Sequence, residues 1–78
     1  MQEFCVRLRS FQEVKDFVQL STLQPFPVYL ENDYQIVNAT SYMGLVSLDH
    51  THELRVKAEC TETEALSFRR QAARFAAK

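Results

Sequence analysis

The 78-residue chain holds one glycine, Gly44, two prolines and no tryptophan. A single glycine rules out a glycine-rich phosphate-binding loop, and with it the nucleotide-binding motifs that depend on one. The two cysteines, Cys5 and Cys60, form no C-x-x-C or Cys/His spacing, so no metal site is expected. Read as strand residues, Cys5 keeps the parity of Glu3 and Arg7, and Cys60 keeps that of Leu54, Val56 and Ala58. The two thiols then fall on opposite sheet faces, and no disulfide is expected between them in a reducing compartment. Neither sign of charge dominates: nine Lys and Arg against ten Asp and Glu leave a net charge of −1. That balance gives no case for nucleic acid, an acidic tail or a polybasic membrane patch. With no membrane-length apolar run and no signal peptide, a cytoplasmic protein is expected. No Ser/His/Asp, Cys/His or paired-carboxylate arrangement stands out, so neither an enzyme nor a cofactor is expected.

What is present is ordinary for a small globular protein: 46% hydrophobic and 24% charged residues, read as one domain over 1–78. A chain of this size buries only about 60% of the surface its unfolded form exposes, so its core is marginal. Phe4, Val6 and Leu8 alternate with Glu3, Cys5 and Arg7, predicting a half-buried strand over 3–8. Ser10 stands three residues before Glu13, the spacing of a capping box. Phe11, Val14, Phe17, Val18 and Ser21 follow at helical spacing, predicting a helix over 11–23 that Pro25 and Pro27 stop. Phe26, Val28 and Leu30 alternate as a second strand. Asn32 and Asp33 mark a turn, and 34–39 form a third strand, giving a hairpin. A short helix over 42–48, a strand on Leu54, Val56 and Ala58, and a last helix over 62–77 complete the chain. Thr61 and Glu64 supply a second capping box, with Ala65, Phe68, Ala72 and Phe75 on one helix face. The order β-α-β-β-α-β-α describes an α+β domain, a mostly antiparallel sheet with helices on one face.

The segment Thr40-Ser41-Tyr42-Met43-Gly44-Leu45-Val46-Ser47-Leu48 combines a helix-start serine, the only glycine and a compact apolar cluster. A serine oxygen accepts from an unpaired N–H at a helix start, where negative charge is also tolerated. Ser41 is therefore both a cap and a regulatory phosphorylation candidate. His50 and His52, at i, i+2 spacing in a polar connection, lack a third ligand for a metal. Arg69, Arg70 and Arg74 read as a solvated helix face.

This order, with its short middle helix beginning at a serine, resembles the HPr family, the small phosphocarriers of the bacterial phosphoenolpyruvate-dependent sugar phosphotransferase system. The resemblance is strongest over 28–48, through Val28-Tyr29-Leu30-Glu31-Asn32-Asp33 and Val37-Asn38-Ala39-Thr40-Ser41-Tyr42-Met43-Gly44. It implies an open-faced β-sandwich with a four-stranded antiparallel sheet in the order 1-4-2-3 and three helices on one side. It also implies two phosphate positions. The first is a histidine that opens the first helix in a His-x-Arg-Pro motif; here Ser10, Gln12 and Glu13 occupy those positions. A carrier needs a nitrogen nucleophile and a cation to hold the phosphoryl oxygens. A serine ester is a poor donor, and Glu13 repels the group. The second is the serine that starts the short helix, matched by Ser41. In Gram-positive relatives a kinase/phosphorylase modifies it for corepression of a catabolite-control transcription factor. Tyr42, Met43 and Val46 match the apolar patch that docks such partners. Thr40 stands where those relatives carry lysine, and the glycines that follow their short helix are absent over 49–52. The resemblance thus implies a non-catalytic regulatory or protein-interaction module with a kinase- or regulator-type protein partner, bound through the short helix and the start of the first; the alternatives are a structural homologue without phosphate chemistry and a residual phosphocarrier component using Ser10 or a loop histidine.

Overall fold

The structure, a computed structural model, describes residues 1–48 and 52–76. Four strands, β1 (Gln2–Val6), β2 (Val28–Glu31), β3 (Ile36–Asn38) and β4 (Leu54–Ala58), pair antiparallel in the order β1-β4-β2-β3. Three helices, α1 (Phe11–Thr22), α2 (Tyr42–Val46) and α3 (Glu62–Gln71), cover one face. This is the expected sheet order, α+β class and layer arrangement.

Side-chain alternation explains why one face is covered. Phe4, Val56, Leu30 and Val37 lie opposite one another across all four strands and form a continuous apolar row toward the helices. The neighbouring row, Cys5, Arg55, Glu31 and Ile36, faces outward. There Glu31 accepts from Arg55 Nε at 3.0 Å and sits 3.1 Å from Lys57 Nζ. Those two cations hold the Glu31 carboxyl below its ordinary value, Arg55 first and Lys57 second. On the inner side Phe17, Phe68 and Phe75 are fully buried. Phe17 meets Phe75 edge-on at 5.4 Å, and Phe4 meets Phe68 edge-on at 5.5 Å.

The caps act largely as the spacing predicts. Thr61 Oγ1 accepts from Glu64 N at 3.2 Å while Glu64 Oε1 accepts from Thr61 N at 3.0 Å, a reciprocal box. At α1 the box is displaced by one residue. Ser10 Oγ accepts from Glu13 N at 3.2 Å, but the Glu13 carboxylate takes the Arg9 N–H at 2.7 Å instead of that of Ser10. The Asn32 side chain accepts from the N–H groups of Tyr34 and Gln35, which makes the β2–β3 turn.

Several predicted elements are shorter than expected. β3, expected over 34–39, spans only Ile36–Asn38, because the Asn32 side chain takes the N–H groups of Tyr34 and Gln35 into the turn, and α1 ends at Thr22, one residue early. β1 ends at Val6, because Arg7 turns its N–H to Phe75 O at 2.7 Å. The short helix ends at Val46: the Ser47 hydroxyl donates to Gly44 O at 2.7 Å, and Leu48 turns into the core. The last helix, expected to reach 77, ends at Gln71 and continues as a 3₁₀ turn over Ala73–Phe75. Burial of Phe75 against Phe17 draws the chain inward there, and Ala76 then bridges to Val6. Cys5 is exposed, Cys60 packs against the core, and both thiols are free.

Candidate functional site

The start of α1 and the end of α2 meet across an open cleft of about 320 Å³ lined by Leu8, Arg9, Ser10, Phe11, Val14 and Val46. Ser10 sits there because the chain leaves β1 extended (φ −155°, ψ 165°) and enters α1 one residue later, which is the geometry of a helix cap. Its hydroxyl is engaged by Glu13 N. Gln12 turns away from Ser10 along the helix and donates to Asp16 Oδ1 at 2.9 Å, and Arg74 binds the other Asp16 oxygen. Gln12 first and Arg74 second hold the Asp16 carboxyl below its usual range. The cation next to Ser10 is Arg9, whose guanidinium rests at 3.4 Å from both Arg7 O and Ala76 O.

Ser41 lies at the other end of α2, away from the cleft lining. It is exposed, its Oγ accepts from Gly44 N at 3.1 Å, and its own N–H is held by Asn38 O. Thr40 is tied to Asn38 Oδ1 through both its N–H and its hydroxyl. Gly44 lets this short helix lie close to β3. A Cβ at that position would stand 3.3 Å from Val37 Cβ and 3.3 Å from Ser41 Oγ. Met43 and Val46 share one helix face at i, i+3, with Met43 75% exposed, whereas Tyr42 is half-buried against the core.

Phe11 departs from the sequence reading. Its spacing places it on the buried stripe of Val14 and Phe17, yet it is 71% exposed. Helical side chains tilt toward the N-terminus, so the first residue of a helix projects past the helix end and past what covers the stripe. Its position in the first turn was the available signal. Phe11 and Val46 line the cleft with Arg9, and Met43 lies exposed one turn before Val46 on α2.

The remaining sequence candidates lie elsewhere. His52 lines a polar cleft with Asn32, Asp33, Tyr34, Glu53 and Arg55, and His50 lies outside the described residues. Among the described residues no group of His, Cys, Asp and Glu is arranged to hold a metal ion. Arg69, Arg70 and Arg74 are all exposed, as expected of a solvated face; Arg69 also lies over the Phe4 ring at 5.5 Å and Arg74 over Phe75 at 4.6 Å. Among the described residues no helix is long and apolar enough to cross a membrane.

Sheet order, helix placement and a serine-capped short helix define an HPr-like open-faced sandwich. The solved structure of HPr-C-His from Thermoanaerobacter tengcongensis matches with a TM-score of 0.73 and 24% identity, covering 92% of this chain and 90% of that one. At that identity the likeness establishes the fold. No protein-family model matches the chain, and no curated protein is significantly similar to it.

Proposed function

We propose that this chain is a non-catalytic protein-interaction module of the bacterial cytoplasm, related to the phosphoenolpyruvate-dependent sugar phosphotransferase system. It docks a protein partner on the surface formed by Phe11, Met43 and Val46. The observation that carries this reading is a cleft lined by exposed Phe11 and by Val46, with Met43 exposed one turn back on α2 and a helix cap, Ser10, where a carrier would hold its imidazole. Exposed apolar clusters rimmed by polar groups are what docking surfaces require. Phosphoryl transfer through Ser10 is disfavoured by chemistry: its hydroxyl is committed to Glu13 N, and the nearest carboxylate would repel the incoming group.

The test is titration calorimetry against a purified HPr kinase/phosphorylase and a purified catabolite-control regulator from a Gram-positive bacterium. Binding to one of them is expected, weakened at least about tenfold by Phe11→Asp or Met43→Asp. Binding insensitive to both substitutions, or no binding, overturns the docking reading.

Ser41 supports a second reading, in which phosphorylation regulates this surface. Its hydroxyl is exposed, and a phosphate would add about −1.5 to −2 charge beside Met43. Incubation with ATP and the kinase, followed by mass measurement, tests it. Modification lost in Ser41→Ala supports the switch, and an unmodified chain removes it.

A further inference from the structure

We propose that the exposed stripe of α1 receives an acidic amphipathic helix of the partner protein. One apolar side chain of that helix enters the cleft at Phe11, a second meets Leu23, and a carboxylate between them lies opposite Lys15. This rests on the docking function proposed above and gives that partner its chemistry.

The stripe follows from helical spacing. Phe11, Lys15, Val18 and Thr22 recur every three or four residues, so they share one side of α1. Phe11, Lys15 and Thr22 are exposed, and Val18 is half-buried. Two openings flank Lys15. The first is the cleft already described between Phe11 and Val46. The second, about 340 Å³, lies at the far end of α1 and is lined by Val18, Gln19, Thr22 and Leu23. Leu23, the residue that closes α1, is 78% exposed there. The two openings are two to three turns apart, roughly 10–16 Å along the axis. A ridge of side chains at this spacing is what the ridges of a second helix pack against. An amphipathic helix offers apolar side chains two or three turns apart on one side, with room for a different residue type between them.

Charge defines the occupant. Arg9 and Lys15 are both exposed, and among the described residues neither side chain pairs with a carboxylate. The Arg9 guanidinium rests on backbone carbonyls only. Both carboxylates of α1 are committed elsewhere, Glu13 to the Arg9 N–H and Asp16 to Gln12 and Arg74. Residues 34–48, which include α2, hold no charged side chain. A partner carboxylate laid against Lys15 therefore meets a cation with no competing acid. Phe11 and Val18 stand on either side of that cation, and closing a partner over them excludes water and strengthens the pairing. A second copy fits poorly, because α1 laid on α1 with these apolar neighbours matched sets Lys15 against Lys15.

The test screens a displayed library of single helices, one face randomised, against the full chain at low salt, and then titrates the winning synthetic peptide. Enrichment of two apolar positions two or three turns apart, with Asp or Glu between them, is expected. Affinity should fall at least about tenfold in Lys15→Glu and in Leu23→Asp, and stay unchanged in Leu66→Asp, an exposed leucine of α3. It should also fall as salt rises, because the pairing with Lys15 is electrostatic. Circular dichroism verifies that each variant is folded, and all three positions, being exposed, tolerate the change. Enrichment of neutral or basic faces, or no enrichment, overturns the proposal. Peptides that lose binding in Phe11→Asp but not in Lys15→Glu or Leu23→Asp overturn it and leave docking at Phe11 standing. Peptides that depend on Lys15 and Leu23 but not on Phe11 overturn both.

Discussion

Ser21→Ala is expected to stabilise this protein. Ser21 is a buried polar residue of the core, 1% exposed in α1, and among the described residues its Oγ has no hydrogen-bond partner. An unpaired buried hydroxyl carries a desolvation cost of about 1–3 kcal/mol, which alanine removes. Alanine also favours the helix interior by up to about 0.7 kcal/mol over an ordinary residue. Against this stands the loss of one small buried atom's contacts, no more than the roughly 0.8 kcal/mol of a buried methylene. The net expectation is a gain of about 1–2 kcal/mol. For a domain of this size that raises Tm by about 4–8 °C per kcal/mol. Urea denaturation with an unchanged slope and a higher midpoint would confirm it as a change in stability alone. Thr22→Ala is the control, because Thr22 Oγ1 already donates to Val18 O at 2.8 Å in an exposed position. A lower midpoint for Ser21→Ala would refute the reasoning, since it would mean that the hydroxyl has a partner in solution.

Three further outcomes follow from the packing and the charges. Phe75→Ala should cost about 3–5 kcal/mol and speed exchange of the Arg7 amide, whose bond to Phe75 O depends on that turn; slow exchange in a folded variant would contradict it. Ser10→Ala should cost about 1 kcal/mol in a urea melt, because Glu13 N loses its acceptor. Glu31→Gln should destabilise at neutral pH and converge with the parent as pH falls. The folded-state pKa of Glu31 is depressed, so its contribution is present above the ordinary carboxylate value and lost as pH drops through the folded one. A difference between the two proteins that persists in acid would refute the ion-pair origin.

Strand and helix identity were legible because one sheet face is buried and the other is wet. Leu54, Val56 and Ala58 could face only one way once Arg55 and Lys57 faced the other. The caps at Thr61 and Ser41 were legible because capping is local chemistry between residues three apart. Element ends were not, because contacts distant in sequence decide them. β1 stops where Arg7 meets Phe75, and α3 stops where Phe75 reaches Phe17. The candidate site was half legible. Met43 and Val46 are singled out by the family resemblance, whereas the cleft that joins Phe11 to Val46 exists only because α1 begins opposite the end of α2, and no pattern within either segment encodes that approach.

The geometry at the start of α1 is that of a helix cap, and more than one residue separates it from the carrier motif His-x-Arg-Pro. Glu13 acts twice here: its N–H is what Ser10 Oγ accepts from, and its carboxylate holds the Arg9 N–H. A proline at that position, as the carrier motif has, would delete together the N–H that Ser10 accepts from and the carboxylate that holds Arg9. An arginine in place of Gln12 would bring a second guanidinium to Asp16 beside Arg74. Ser10 and Glu13 thus hold the start of the helix, while Gln12 ties its first turn to Asp16 and through it to Arg74. In the docking function proposed above, such a fixed helix start would hold Phe11 in place without a phosphate to organise it.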